Sequence, residues 1–366
     1  MLPAFFEMRK GQVDLPLHGG KAPKWLFSRM IKLARAITEL IVMEYGPHEF
    51  LNRISDPFWF QALGCVLGFD WHSSGLTTTT TAAIKEGIKG IERELGIFVA
   101  GGKGARWRKT PQELMFWGEK VGVDADKLIY ASRMSAKVDS AALQDGYQIY
   151  HHSFFFTLDG KWAVVQQGMN PKTRFARRYH WISDGLNDFV VEPHSGIVSQ
   201  ARGTAINLTD TKSDEARHVI AELASEPPWK LVKELKGLKV MKLPSRHMLF
   251  LSDINPDRLY KIFLKTYEVV PEDFRSLLEL QGVGPSTVRA LALVADIIYG
   301  ARPSYEDPFV YTYAHGGKDG IPYPVNRSDY DRTIELLEKA IKTAKIGDSD
   351  KRKALKRLSL LWQNQL

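Results

Sequence analysis

Apolar residues recur in the first part of the chain at the three- and four-residue spacing of an amphipathic helix. In residues 24–45 they are Leu26, Met30, Leu33, Ile37, Leu40 and Ile41. Basic residues lie mostly on the opposite side, so this segment is predicted to be a helix with one buried face. The pattern predicts further helices after Pro57, over 82–95, from Pro111 and over 214–225.

The clearest strand pattern lies in residues 146–168, where two runs rich in aromatic and β-branched residues flank Asp159-Gly160. Asp-Gly is typical of a two-residue hairpin turn, which would place Leu158 opposite Lys161. The sequence therefore predicts a central β-hairpin. A further strand is predicted at 187–192.

This pairing puts polar side chains at the far end of an otherwise apolar hairpin. His152 would lie across from Gln167, and Ser153 across from Gln166. Since strand residues alternate between faces, His152 and Gln167 would share one face, with His151, Ser153 and Gln166 on the other. A strand pair buried on both faces explains the apolar end. Buried polar groups need partners, so the polar end predicts an internal hydrogen-bonded network or a functional site.

Beyond residue 255 the pattern becomes wholly helical. Candidate helices are 256–267, 271–280, 286–298, 329–344 and 349–362. A polar cluster at 209–213 and the pair Pro227-Pro228 interrupt the chain before them. We therefore predict an α/β (or α+β) N-terminal domain at 1–212, with a sheet that contains the hairpin, and an all-α C-terminal domain at 213–366.

Composition narrows the class of protein. The 366 residues carry a formal net charge of +8, which favours an anionic partner such as nucleic acid, a membrane surface or an acidic protein. Apolar residues make up 44% of the chain, which argues against disorder as the dominant state. No apolar run is long enough for a membrane span.

Cys65 is the single cysteine, which excludes an internal disulfide. This indicates a reducing, cytoplasmic location, and Cys65 itself is predicted to be buried.

Residues 277–291 have the pattern of two short helices joined by a sharp turn. Gly282 and Gly284 give the turn backbone freedom, Val283 is expected to turn inward, and Pro285 suits the first turn of a helix. The run resembles the helix-hairpin-helix motif of DNA repair and replication proteins, placed here at 271–298. The resemblance implies that N–H groups at the second helix bind a DNA phosphate without recognising sequence. The predicted contact residues are Gly282, Val283, Gly284, Ser286, Thr287 and Arg289.

Some members of the helix-hairpin-helix superfamily are base-excision glycosylases, which carry a catalytic Lys two residues after the second Gly and a later Asp-Thr-His. Here the Lys position is Ser286, and the later acid Asp307 is followed by Pro308-Phe309. These departures argue against lyase and glycosylase chemistry.

Two basic segments carry aromatic residues among their cations. The first, in the Gly-rich stretch 97–110, has Lys103, Arg106, Arg108 and Lys109 around Trp107. The second has Lys172, Arg174, Arg177 and Arg178 interleaved with Phe175, Tyr179 and Trp181. Cations neutralise phosphates and rings stack on unpaired bases, so both segments are predicted to contact nucleic acid. The alternative is an ordinary solvated charged surface.

Acids near the hairpin suggest a metal-dependent phosphodiesterase. Oxygen ligands hold Mg²⁺ or Mn²⁺, and an imidazole can bind the metal or accept a proton from the attacking water. The predicted catalytic residues are Asp139, Asp145, His151, His152, Gln166 and Gln167, and the predicted metal ligands are Asp145, His152 and Glu192. The familiar nuclease pattern of an acid followed by Glu-x-Lys is absent, because Gln166-Gln167-Gly168 has neither residue. A structural polar cluster therefore stays open as the alternative.

Five segments spread along the chain carry one further resemblance. They are LPLHGGKAPKWL (15–26), DGYQIYHHSFFF (145–156), WAVVQQGMN (162–170), EPHSG (192–196) and AHGGKDGIPYPV (314–325). Through them the chain resembles an uncharacterised family of archaeal and bacterial proteins, the domain of unknown function family number seven hundred and sixty-three. The resemblance implies no catalytic residue.

Together these features favour a cytoplasmic DNA-binding protein that acts as a metal-dependent nuclease in DNA repair or recombination. The expected partner is duplex or branched DNA with possible single-stranded contact, and the expected cofactor is Mg²⁺ or Mn²⁺. A non-catalytic module that binds DNA structures and, with less support, a base-excision glycosylase stay open as alternatives.

Overall fold

The computed structural model describes residues 22–69, 74–199, 204–241, 254–308, 327–344 and 346–363. Within these ranges the protein has a mixed α/β fold of fourteen helices and two antiparallel sheets. Residues 15–21 and 314–325, which carry part of the family resemblance, lie outside this description. None of the described helices is long and apolar enough to cross a membrane.

The chain begins with a helical layer. Its helices are α1 (Lys24–Tyr45), α2 (Pro47–Ser55), α3 (Pro57–Leu67), α4 (Gly75–Gly87) and α5 (Glu92–Leu95). In the predicted apolar stripe of α1, Leu26 and Leu40 are half-buried and the other four residues are buried. Cys65 in α3 is buried. α4 begins earlier than the predicted helix 82–95, because the threonine run enters the helix. There the Thr81 hydroxyl donates to the carbonyl oxygen of Thr77 at 3.0 Å, a bond that suits a buried threonine inside a helix.

Eight strands are present in the described residues. They are β1 (Ile97–Lys103), β2 (Leu143–Gln144), β3 (Gln148–Thr157), β4 (Trp162–Met169), β5 (Ala176–Ile182), β6 (Gly196–Val198), β7 (Thr204–Asn207) and β8 (Ser304–Glu306). The main sheet has the order β1-β3-β4-β5-β6, and the small sheet has the order β2-β7-β8. Neighbouring strands are antiparallel throughout. The predicted hairpin forms β3 and β4, inside the main sheet.

The hairpin loop has three residues rather than the predicted two. The N–H of Thr157 donates to the carbonyl oxygen of Lys161 at 2.9 Å, and the N–H of Gly160 donates to that of Thr157 at 3.0 Å. Gly160 has a φ of +81°, a left-handed conformation that glycine adopts readily. The extra loop residue shifts every pair between the loop and His151 by one position, and a register irregularity between Ile149 and His151 shifts the pairs beyond it by one more.

The predicted cross-strand pairs at the polar end are therefore wrong. His152 lies across from Gln166, and His151 lies across from Gln167. Ser153 faces Val165 instead of Gln166. Each histidine thus shares its face of the sheet with the glutamine opposite it.

Three further strand assignments differ from the sequence prediction. Residues 187–192 form no strand, and 189–192 are bends. The apolar start of the 97–110 stretch pairs as β1, which ends at Lys103, and the other basic residues follow in a 3₁₀ turn at Gly104–Lys109. The second basic segment enters β5, where Arg177 and Arg178 find partners inside the protein.

The remaining helices complete the two sides of the sheet. They are α6 (Thr110–Val121), α7 (Ala125–Lys137), α8 (Asp214–Ala224), α9 (Pro228–Val240), α10 (Pro256–Val269), α11 (Phe274–Glu279), α12 (Pro285–Ile297), α13 (Arg327–Thr343) and α14 (Asp348–Gln363). A π-helical turn at Val138–Ala142 continues α7. The five helices predicted beyond residue 255 are all present, with ends shifted by a few residues.

The C-terminal part is nevertheless not all-α. β8 pairs with β7 in the small sheet, while α13 packs on α1 and α14 packs on α3. Two apolar cores result, one on each face of the main sheet, and each draws residues from both sides of position 212. Phe154 and Phe156 face the first core, and Phe155 faces the second. The division into domains at 212/213 stays a prediction.

Gly101 in β1 provides a test of how tightly the main sheet is built. A Cβ atom at this position would lie 2.3 Å from the carbonyl oxygen of His152, and the φ of Gly101 is +88°. We expect Gly101→Ala to lower the free energy of unfolding by more than about 2 kcal/mol, because backbone strain and a backbone clash add. Gly104→Ala is the matched control: its φ is +64° but the space around it is open, so it should cost about 1 kcal/mol. Equal losses in chemical denaturation would contradict this account.

Candidate functional site

A cavity of about 1740 Å³ opens between β3, α7 and the turn that joins α11 to α12. This volume exceeds the roughly 300–1,000 Å³ of typical small-molecule sites. Several segments singled out from the sequence meet at its walls. Their lining residues are Arg108, Asp145, His152, Lys172, Gly282, Ser286 and Arg289.

The turn between α11 and α12 has the backbone expected from its sequence. Gly282 has a φ of +98°, which favours glycine, and Gly284 precedes α12 in an extended conformation. Val283 is buried, as predicted. Pro285 and Ser286 are exposed and line the cavity. The first turn of α12 leaves the N–H of Ser286 without an acceptor inside the helix.

Lysine side chains hold the carbonyl oxygens of this turn. Lys137 of α7 donates to the carbonyl oxygen of Val283, and Lys265 of α10 donates to that of Gln281 at 2.8 Å. Burial lowers the pKa of Lys137, and the neighbouring charge of Lys265 lowers it further. The turn is therefore fixed by cations on two helices.

The basic 3₁₀ turn is exposed beside the same cavity. Its exposed cations, with the end of β1, are Lys103, Arg106, Arg108 and Lys109. The guanidinium carbon of Arg108 lies 5.8 Å from the centre of the Trp107 ring, and both residues line the cavity. Lys172 and Arg174 are exposed on the loop between β4 and β5, and Lys172 lines the cavity as well.

Arg177 and Arg178 are buried, in contrast to these exposed cations. Arg177 makes two bonds of 2.8 Å to the carboxylate of Asp307. The Nη1 atom of Arg178 donates to the side-chain oxygen of Gln61 at 3.1 Å, and its Nε donates to His180 at 2.8 Å. Their charges serve protein partners, so the prediction that they contact nucleic acid does not hold in this structure.

His152 and Gln166 belong to a buried hydrogen-bonded chain on the cavity side of the sheet. The Nδ1 atom of His152 lies 2.8 Å from the Oε1 atom of Gln166, and its Nε2 atom lies 2.9 Å from the Ser132 hydroxyl. The Nε2 atom of Gln166 donates to the carbonyl oxygen of Ser135 at 3.0 Å and to Asp139. Burial lowers the pKa of His152, so the imidazole is neutral at pH 7.

Asp139 ends this chain in the interior. Its carboxylate accepts a hydrogen bond from the indole N–H of Trp181 at 3.0 Å and lies 2.5 Å from His194. Asp139 is fully buried and does not line the cavity. Of the predicted catalytic residues, Asp139 and Gln166 therefore lie behind His152.

The other predicted pair, His151 and Gln167, faces the opposite core. His151 lies 3.1 Å from the Thr81 hydroxyl, and Gln167 donates to the carbonyl oxygen of Ser74 at 3.0 Å. Burial, followed by electrostatic repulsion from His152 in its protonated form and from Lys103, lowers the pKa of His151 to about 3. These two residues are separated from the cavity by the sheet, because His151 alternates with His152 along β3 and the true hairpin register pairs Gln167 with His151.

The predicted metal ligands do not form a metal site. Both oxygens of Asp145 are occupied, by Arg177 at 2.8 Å, the Tyr179 hydroxyl at 2.7 Å and the N–H of Tyr147 at 3.0 Å. Glu192 is exposed and does not line the cavity. Over the ranges that the structure describes, no three His, Cys, Asp or Glu side chains are grouped to hold a metal ion. Asp145, His152 and Glu192 therefore do not provide together the oxygen ligands that Mg²⁺ or Mn²⁺ would need.

Ser132 is a cavity residue that the sequence prediction missed. It lies on α7 among the buried residues Leu128, Ile129 and Ala131, where a hydroxyl needs a partner. Arg133 is the next residue, and it also lines the cavity. The sequence does place this serine at a buried position of an amphipathic helix, which indicates that its hydroxyl has a hydrogen-bond partner. That partner, His152, could not be identified without the packing of α7 on the β3–β4 pair.

Comparison with protein families matches one family model over residues 11–325, described as Protein of unknown function (DUF763). No curated protein and no solved structure matches the chain.

The buried charges around Arg177 give a prediction about stability. We expect Arg177→Met to lower the free energy of unfolding by about 3–5 kcal/mol, because it leaves the buried carboxylates of Asp145 and Asp307 without this cation. Burial raises the pKa of Asp145 and Arg177 opposes that rise, so in the variant the carboxyl should take up a proton more readily. The loss should thus be larger at pH 8 than at pH 5.

The ion pair of Lys161 and Asp184 supplies the control, because it is exposed to solvent, with Nζ of Lys161 2.6 Å from Oδ1 of Asp184. Lys161→Met should change stability by no more than about 1 kcal/mol at either pH. The free energy of unfolding of both variants is measured by urea denaturation at pH 5 and pH 8. Equal losses of stability in the two variants would contradict this explanation.

Proposed function

The chain belongs to the DUF763 family, whose description names no activity, and we propose that this protein binds DNA in the cavity beside the α11–α12 turn. One observation supports the proposal above all others. The glycine turn, Trp107 and Arg108 of the exposed basic 3₁₀ turn, and Lys172 line a single cavity, and each of the three segments was predicted separately to contact nucleic acid.

The charge of the cavity suits a polyanion. Five basic residues line it against three acidic ones, and one of those acids, Asp145, is already paired with Arg177. Its volume suits part of a polymer better than one small molecule. An extended phosphate backbone is the ligand that meets both conditions.

The turn would contact one phosphate through its backbone. Gly282, Pro285 and Ser286 are exposed at the cavity, and no Cβ atom at Gly284 blocks the approach. Backbone N–H groups at a helix start bind phosphate without distinguishing bases. Binding at this turn would therefore be independent of DNA sequence.

Aromatic residues in the wall favour DNA with an unpaired stretch. Trp107, Tyr130 and Tyr147 line the cavity together with the cations. Rings of this kind stack on unpaired bases, while cations follow the backbone. We therefore propose branched or partly single-stranded DNA as the preferred form, which agrees with a role in repair or recombination.

The turn can be tested with a double variant. Gly284→Ala with Ser286→Glu should reduce affinity for a fluorescent DNA fork at least about tenfold, because the carboxylate repels the phosphate. A Cβ atom at Gly284 meets nothing within 4 Å, so the variant should fold normally. Unchanged affinity in an anisotropy titration, with a normal circular dichroism spectrum, would refute contact at the turn.

The cations of the cavity can be tested through salt dependence. Arg108→Glu with Lys172→Glu should weaken binding and flatten the plot of log affinity against log salt by about 0.7–0.9 for each lost phosphate contact. Lys233→Glu with Lys239→Glu on α9 makes the same change in net charge at exposed positions away from the cavity. Binding is assigned to the cavity only if the first pair changes the slope and the control pair does not.

A further inference from the structure

Ser132 and His152 stand together at the wall of the cavity. The hydroxyl oxygen of Ser132 lies 2.9 Å from Nε2 of His152, and both residues line the cavity. A serine hydroxyl within hydrogen-bond reach of an imidazole is the arrangement that activates a nucleophile, provided that the imidazole presents its lone pair to the hydroxyl. The tautomer of His152 therefore decides what this pair can do.

The surrounding hydrogen bonds fix that tautomer. The Nε2 atom of Gln166 faces two acceptors, the carbonyl oxygen of Ser135 at 3.0 Å and the carboxylate of Asp139. The Oε1 atom of Gln166 must then face His152, where it lies 2.8 Å from Nδ1. Because Oε1 can only accept, Nδ1 of His152 carries the proton and Nε2 carries the lone pair.

Asp139 in turn keeps Gln166 in this orientation. The indole N–H of Trp181 can only donate, so the Asp139 oxygen that it reaches is held as an acceptor. The order from the interior to the cavity is thus Asp139, Gln166, His152 and Ser132. An imidazole oriented by a side-chain amide is a known variant of the Ser-His-Asp arrangement.

We propose that Ser132 is a nucleophile, with His152 as its general base, that attacks a phosphodiester of the bound nucleic acid. This proposal rests on the DNA binding proposed above. The Ser132 oxygen would form a bond to phosphorus while the bond from phosphorus to one sugar oxygen breaks. The Ser132 proton passes to Nε2 of His152 and then to the departing sugar oxygen, which leaves Ser132 joined to the remaining strand through a phosphodiester. Water then attacks phosphorus, the bond from phosphorus to the Ser132 oxygen breaks, and the water proton returns through His152 to Ser132, so that the phosphate stays on the end of the strand.

The charge beside Ser132 favours a phosphodiester over a neutral ester. Arg133 follows Ser132 in α7, and Lys137 lies one helical turn further on, with both residues at the cavity. The transition state of phosphoryl transfer concentrates negative charge on oxygen, which neighbouring cations stabilise. The neutral imidazole of His152 leaves its lone pair free to take the proton.

The nucleophile can be tested without DNA by using diisopropyl fluorophosphate. Ser132 would bond to phosphorus, fluoride would leave, and mass spectrometry should find one adduct on the peptide that contains Ser132. Ser132→Ala should abolish the adduct, and His152→Asn should slow its formation at least about 100-fold. Ser140→Ala is the matched control, because Ser140 also lines the cavity, and it should react as the wild type does. A wild-type protein without an adduct at Ser132 would overturn the nucleophile.

A second measurement separates this proposal from DNA binding. Wild type and Ser132→Ala are incubated with a labelled DNA fork in EDTA, and both binding and cleavage are followed. We expect equal affinities and cleavage by the wild type alone. Binding without cleavage would overturn the phosphodiester step and leave the binding function intact. An adduct at Ser132 without DNA binding would overturn both the binding function and the assignment of DNA as substrate.

Discussion

Hydrogen bonding at the polar end of β3 and β4 is the constraint on which the site depends. Both faces of this strand pair are buried, so its histidines and glutamines can bond only inside the protein, where all of their polar atoms except Nδ1 of His151 and Oε1 of Gln167 have partners. His152 and Gln166 find theirs on α7 and its π-helical continuation, while His151 finds its partner on α4. These bonds hold the helical layers in register with the sheet, because a shift of either layer would leave buried polar atoms unpaired.

Helix α7 connects the interior network with the cavity. Its buried side supplies Ser132 to His152, while Arg133 and Lys137 face the cavity. Lys137 also holds the α11–α12 turn through the carbonyl oxygen of Val283. The wall that carries the imidazole and the turn that would bind phosphate are therefore positioned by one rigid element. Such preorganisation reduces the ordering that a ligand would have to impose.

Part of the basic character of the chain serves the fold rather than a ligand. Arg177 joins β5 to Asp145 before β3 and to Asp307 after β8, which are far apart in sequence. A buried cation is stable only when its carboxylate partners stay in contact with it. Arg177 therefore holds the end of the small sheet against the main sheet. Net charge therefore overstates the positive surface available for binding, because Arg177 and Arg178 are buried with partners inside the protein.

The sequence by itself determined the elements whose cause is local. The period of α1, the helices beyond residue 255, the glycine turn at Gly282 and the existence of the β3–β4 hairpin all follow from spacing and turn chemistry. Only the tertiary structure decided the hairpin register, since one extra loop residue moves every side chain to a new partner. It also decided that Arg177 is buried while Arg174 is exposed, because partners distant in sequence determine which charges are neutralised. Ser132 became recognisable for the same reason: a serine on a helix acquires chemical meaning only from the imidazole that the fold brings to it.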